Sequence, residues 1–161
     1  MTVIVTGATS FIGRAVVKAL LEEGCRVVAV SRPASAGAGK LQELFEDLKK
    51  QAGAEKKVFG SLELCFCELG EIEKLEKIYK KEELQAKAWL HLGWDGAGSD
   101  KRKDVKLQEK NIGYALQALH TAAALGCKRF LFSGSQAEAT YTFVSPVKEP
   151  YVFSNNTESF F

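Results

Sequence analysis

TGATSFIG, residues 6–13, follows the apolar run Val3-Ile4-Val5 and opens a segment with helical spacing of apolar residues. A strand that turns directly into a helix gathers backbone N–H groups and the positive end of the helix dipole at one point. That point attracts a diphosphate. Gly7 suits the tight turn, and Gly13 lets the helix lie close to the sheet. The middle position of the pattern, where phosphate must approach the backbone, holds Ser10 instead of glycine. Serine is small and its hydroxyl can donate to a phosphate oxygen, but any positive φ there strains it. A lone glycine triplet fits a plain strand–turn–helix equally well, so its surroundings decide the reading.

Those surroundings alternate in type. Residues 2–6 read as a buried strand. Phe11, Ile12, Ala15, Val16, Ala19 and Leu20 give residues 11–23 a helical stripe, with Gly24 as its cap. Residues 26–30 read as a second strand, and RPASAGAG (32–39) as a flexible loop. Leu41, Leu44, Phe45 and Leu48 share one face of a helix over 40–51. Then follow a strand at 62–67 and a highly charged helix at 71–84 with Ile72, Leu75, Ile78 and Tyr79 inward. A strand at 89–92, the loop GWDGAGSD (93–100), a long helix to about residue 125 with Gly126 as cap, and a strand at 128–132 complete the series. Short apolar strands separated by helices imply an α/β fold with a parallel sheet covered on both faces. With right-handed crossovers this predicts a Rossmann-like doubly wound parallel sheet, strand order 3-2-1-4-5, truncated before a sixth strand. The ligand crevice is expected where the first and fourth strands diverge. Residues 1–138 form the expected NAD(P)-binding domain. Residues 139–161 read as an irregular tail, with two prolines, scattered aromatics and no amphipathic helix.

Composition suits one domain: 161 residues, 46% hydrophobic and 26% charged. Twenty-two basic against 20 acidic residues, a net charge of +2, make no electrostatic case for nucleic acid or an anionic membrane. No apolar run approaches the roughly 20 residues that span a bilayer, and a strand starting at Thr2 leaves no room for a signal peptide, so a cytoplasmic protein is expected. Cys25, Cys65, Cys67 and Cys127 show neither disulfide nor metal-ligand spacing and read as small buried residues in a reducing compartment. No metal site is expected.

GAGK at 37–40 imitates the end of a Walker loop, but Ala34 replaces its first glycine and Leu41 its metal-binding hydroxyl residue. The choice of dinucleotide turns on the end of the second strand. An acid there grips ribose hydroxyls; this chain has Ser31 and Arg32. Arginine pairs with a 2′-phosphate in a forked geometry, which favours NADP over NAD.

Several stretches together resemble the extended short-chain dehydrogenase/reductases, specifically the NAD-dependent epimerase/dehydratase family acting on nucleotide sugars. The family loop T-G-x-x-G-x-x-G aligns with Thr6 to Gly13, with Ser10 departing from it. The fourth strand ending in His91-Leu92-Gly93-Trp94, the stretch Asn111-Ile112-Gly113-Tyr114 on the long helix, and the serine-rich segment Ser133-Gly134-Ser135 after the fifth strand are also similar to family patterns. The resemblance implies an adenine dinucleotide held by Thr6, Gly7, Thr9, Ser10, Phe11, Ile12 and Gly13 at the phosphates and by Ser31 and Arg32 at the ribose. It implies Glu68 and Leu69 beside the adenine, with His91, Leu92, Gly93, Asn111 and Ser133 along the rest of the cofactor. From the residues alone, His91 reads equally well as a strand-end residue satisfied by its neighbours.

Family resemblance also places Ser135 at the catalytic-serine position and implies a nucleotide-sugar substrate. It requires a Tyr and a Lys four residues apart, in which the cation lowers the phenol pKa for proton transfer. No Tyr-x-x-x-Lys occurs: Tyr79, Tyr114, Tyr141 and Tyr151 are followed at that spacing by Glu83, Ala118, Ser145 and Asn155. Ser135 without a base is a weak nucleophile. The expected protein is therefore an NAD(P)-binding domain of a nucleotide-sugar oxidoreductase that is catalytically incomplete as it stands. An amino-terminal piece of a longer enzyme, a change of reading frame after Glu138, and a shortened non-catalytic sensor or interaction module all accord with this. A bare fifth strand at the sheet edge predicts self-association.

Overall fold

The computed structural model describes residues 1–33, 35–97 and 101–134. Its elements run β1 (Thr2–Thr6), α1 (Phe11–Glu22), β2 (Arg26–Ser31), α2 (Gly37–Glu55) and β3 (Ser61–Phe66). After a 3-10 helix (Leu69–Lys74) come the short helices α3 (Leu75–Ile78) and α4 (Lys81–Leu84), then β4 (Ala86–His91), α5 (Val105–Ala124) and β5 (Arg129–Phe132). All strand pairs are parallel, and the sheet order is β3-β2-β1-β4-β5, as the alternation predicts.

Period-two alternation divides the strands between two cores. Val3, Val5, Val27 and Ala29 point to one face, where Val17, Leu21 and Leu41 of α1 and α2 cover them. Ile4, Val28, Val30 and Trp89 point to the other face, against Ile72, Leu75, Ala118 and Ala122. Each fully buried large aliphatic side chain contributes about 1.5–3 kcal/mol. Register places Thr6 beside Val30 of β2 and beside His91 of β4, so the carboxyl ends of the three central strands lie level. That is the edge on which the ligand crevice of this fold opens.

Four local readings change. The buried stripe of α1 is Gly13, Val17 and Leu21, one position on from the expected stripe, and Phe11 and Ile12 are 85% and 57% exposed. Helix α2 starts at Gly37, inside the stretch read as loop, and extends to Glu55. A Cβ at Gly37 would lie 2.8 Å from the Thr9 carbonyl oxygen, so glycine here serves close packing rather than flexibility. The charged helix expected over 71–84 is broken into three pieces. Tyr79 takes extended backbone (φ −117°, ψ 132°), its hydroxyl donates to Glu63 Oε1 at 2.6 Å, and Ile78 is left 56% exposed. Finally, β4 begins at Ala86, three residues before the expected start, because Ala86 and Ala88 are buried between strand neighbours.

Cys25, Cys65 and Cys67 are buried, Cys127 is half-buried, and all four are free thiols. No helix among the described residues is long and apolar enough to cross a membrane. Ser135, Tyr141, Tyr151 and the expected tail lie outside the described residues.

Candidate dinucleotide cleft

The turn from β1 into α1 is built on two close approaches. Gly7 has φ +71°, and a Cβ on it would stand 2.7 Å from the backbone of Leu92 and Gly93. A Cβ on Gly13 would stand 2.2 Å from the Gly7 carbonyl oxygen. Both glycines are thus set by backbone contact, and any side chain would push the loop off the strand ends. Ser10 has φ −69° and ψ 170°, so the strain that a positive φ would cause does not arise. It is the N-cap of α1: its Oγ accepts from the Gly13 N–H at 3.0 Å. The hydroxyl hydrogen remains available to donate, since one hydroxyl both accepts and donates. Serine replaces the middle glycine at no conformational cost and adds a cap.

The amides of the first turn separate into used and free. Ser10 N–H donates to the Gly7 carbonyl, and Gly13 N–H is capped by Ser10. Among the described residues, Phe11 N–H and Ile12 N–H have no acceptor. Two orphan donors therefore sit at the positive end of a twelve-residue helix.

The loop faces an open cleft of about 690 Å³, within the usual range of about 300–1,000 Å³ for ligand sites. Gly7, Thr9, Ser10, Ser31, Arg32, Leu69, Leu92 and Gly93 line it, all among the residues expected from sequence. Thr9 Oγ1 hydrogen-bonds Ser35 Oγ at 2.8 Å, tying the β1–α1 loop to the segment after β2. Arg14 Nη1 donates to the Thr9 carbonyl at 2.9 Å and holds the loop from behind. Ser31 Oγ is buried at the cleft wall and has no hydrogen-bond partner among the described residues. A buried hydroxyl without a partner is uncommon, and a ligand hydroxyl or water would satisfy it.

Other expected residues lie behind the wall. His91 is 1% exposed, with Nδ1 2.8 Å from Thr6 Oγ1 and its ring stacked on Phe130 and Phe132 at 6.0 and 5.9 Å. Burial pushes its pKa down to about 4, so it is neutral at pH 7. His91 and Thr6 form the floor where β1 meets β4, and neither lines the cleft. Asn111 is also 1% exposed. Its Oδ1 accepts from the Asp95 N–H at 2.9 Å and its Nδ2 donates to the Asp95 carbonyl at 2.8 Å, so it clamps the loop after β4. Glu68 is exposed and precedes the 3-10 helix, while Cys67 and Leu69 on either side line the cleft. The Cys67 thiol donates to the carbonyls of Glu68 and Glu71. Burial, followed by the nearby Cys65 and Glu71 charges, pushes its pKa up to about 11, which leaves it unreactive. Ser133 is exposed and its N–H donates to the His91 carbonyl.

Sequence reading missed Trp94, Asp95, Lys101, Ser35, Gly37 and Cys67 as lining residues. The glycines of GWDGAG marked that stretch as a loop, but only the clamp from α5 turns it toward the cleft.

Three observations fit an adenine dinucleotide: the cradle that a Cβ would fill, the two orphan amides, and the unpartnered Ser31 hydroxyl. Sheet order and cleft position define a Rossmann-like α/β domain. The chain belongs to the NAD dependent epimerase/dehydratase family, whose model matches residues 3–157. It is 30% identical over 165 residues to the dTDP-6-deoxy-L-talose 4-dehydrogenase (NAD(+)) of Aggregatibacter actinomycetemcomitans, covering 97% of this chain and 52% of that protein. It thus spans about half the length of that relative. A crystal structure of a UDP-galactose 4-epimerase superposes with TM-score 0.64 at 20% identity, over 94% of this chain and 43% of the other. The UDP-glucose 4-epimerase of Bifidobacterium longum in complex with NAD+ and UDP gives TM-score 0.61 at 19% identity, over 84% and 37%. At these identities the two structures show the shared fold.

Proposed function

We propose that this chain binds an adenine dinucleotide and is the cofactor-binding part of an oxidoreductase acting on nucleotide sugars. The orphan amides of Phe11 and Ile12 above the Gly7–Gly13 contact carry this reading. They give a diphosphate two backbone donors, with the Ser10 hydroxyl as a third. Ser31 receives the adenosine ribose, and Leu69 and Cys67 provide apolar surface for the adenine. When bound, the cofactor would supply a hydride acceptor or donor. The chain's own residues anchor its adenosine diphosphate half, and the family membership and the dTDP-sugar dehydrogenase relative support the nucleotide-sugar class.

Arg32 is exposed at the cleft rim beside Ser31, where a cation meets a 2′-phosphate, so NADP is the preferred form. Calorimetry with NADP and NAD on wild type and Arg32→Ala tests this. NADP should bind wild type about tenfold more tightly, and the substitution should abolish that margin, as expected for one charge-assisted pair. Equal affinities in wild type would refute the preference, and no uptake of either would refute the function.

The absence of any Tyr-x-x-x-Lys pair favours a second reading, a dinucleotide binder without turnover. Ser135 at the family's serine position belongs to the first reading. Cofactor-dependent turnover of dTDP- or UDP-sugars by this chain alone would exclude the second. We also assign residues 1–138 to the nucleotide-binding domain and place self-association at the β5 edge, where Leu131 and Phe132 are 51% and 47% exposed.

A further inference from the structure

Two side-chain amides of α5 hold the described residues of the loop after β4. Asn111 clamps both backbone groups of Asp95. Gln108 accepts from Trp94 Nε1 at 2.7 Å through Oε1 and donates to the Lys101 carbonyl at 3.1 Å through Nε2. One helix therefore fixes the indole between two anchored points of the same loop.

The orientation follows from these contacts. The N–H edge of Trp94 is turned back to Gln108, and one side of the ring packs against Phe132 at 5.9 Å and 56°. Trp94 is half-buried and is one of the residues that line the cleft. Its only hydrogen-bond donor is already satisfied, so it offers a ligand a flat π surface and no polar handle. Such a surface selects a planar ring by stacking.

We propose that Trp94 is a specificity-determining residue that stacks on the planar ring of the ligand's second nucleotide half, and that Gln108 is the positioning residue that aims it. This rests on the dinucleotide reading above. Adenosine is anchored at Ser31 and Arg32 at the end of β2, and a dinucleotide crossing Gly7 places its other ring at the end of β4, where Trp94 stands. The ring class is an electron-poor heterocycle such as a pyridinium, which complements an electron-rich indole.

Trp89 and Trp94 are the two tryptophans, and Trp89 is fully buried. The experiment titrates the Trp89→Phe protein, in which Trp94 is the sole tryptophan and is excited selectively over the tyrosines, with NAD+ and with ADP-ribose, which lacks the pyridinium ring. Uptake of both ligands is measured by calorimetry on the same samples. Contact with the ring should lower Trp94 emission about twofold with NAD+ and leave it nearly unchanged with ADP-ribose, and NAD+ should bind about two- to tenfold more tightly. Should Trp89→Phe not fold, wild type against Trp94→Phe gives the same comparison, with the quench confined to wild type. Gln108→Leu should lower the NAD+ to ADP-ribose affinity ratio, and Gln108→Glu, which retains the acceptor, should restore it. NAD+ uptake with emission matching that of ADP-ribose overturns the stacking assignment alone. An unchanged affinity ratio in Gln108→Leu overturns the positioning role. No heat with NAD+, ADP-ribose or NADP+ overturns the dinucleotide reading and this inference with it, and no heat with NAD+ and ADP-ribose but uptake of NADP+ moves the same comparison to NADP+ and 2′-phospho-ADP-ribose.

Discussion

Lowering the pH should destabilise the fold through one residue, His91, buried behind the cleft wall. Its ring stacks on Phe130 and Phe132 of β5 and is bonded to Thr6, and burial pushes its pKa from 6.5 to about 4. In the unfolded chain the imidazole takes up a proton below pH 6.5, whereas in the folded chain it resists until about pH 4. The unfolded state therefore binds more protons across that window, and stability is intact above it and lost as the pH falls through it. Each unit of separation is about 1.4 kcal/mol, so the loss is about 2 kcal/mol at pH 5 and about 3 kcal/mol by pH 4. Against typical domain stabilities of about 5–15 kcal/mol this is a large fraction. Urea unfolding of wild type and His91→Gln at pH 7.5, 6 and 5 isolates the effect, because carboxylates titrate in both proteins and cancel in the difference. Glutamine keeps an acceptor for Thr6 but has no charge to gain. Wild type should lose about 2 kcal/mol more than the variant between pH 7.5 and 5. Parallel stability curves would refute the assignment of a neutral, desolvated His91.

Ser10→Ala removes the N-cap of α1 and should cost about 1 kcal/mol, while Ser10→Gly should cost a few tenths; equal urea midpoints for wild type and Ser10→Ala would show that the cap is idle. Burial raises the Glu63 carboxyl, but hydrogen bonds from Tyr79 and Arg26 outweigh it and hold the pKa below its usual 4.5. Because Glu63 is 38% exposed, Tyr79→Phe should cost only about 1 kcal/mol at pH 7. That stabilisation is present above pH 4.5 and is lost as the pH falls through the lower folded value, so the midpoints of the two proteins should converge in acid; a constant gap would contradict the Tyr79–Glu63 bond.

The fold and the glycine turn that opens α1 were both legible in the chain. Alternating apolar strands and helical stripes carry a two-sided parallel sheet because the two periods bury different sets of residues, and the glycines at 7 and 13 announce backbone approaches that no other residue permits. Ser31 follows from the same grammar as the residue that ends β2, while Leu92 and Gly93 came from the family resemblance, and all three line the cleft.

Whatever depends on partners distant in sequence was decided only by tertiary structure. Asn111 was expected along the cofactor, yet it lies 16 positions from Asp95 and clamps the loop instead. Trp94 faces the cleft because Gln108, 14 positions away, takes its N–H. The charged segment breaks at Tyr79 because Glu63 waits across the fold, a contact that outweighs helical periodicity. Ser10, which looked like a departure from the glycine pattern, became a cap once its φ proved negative. Local spacing determines which elements form and where the glycine turn between β1 and α1 lies. The identity of the side chains that reach the cleft is a property of packing, because a side chain's direction is set by what it touches, and those neighbours come from elsewhere in the chain.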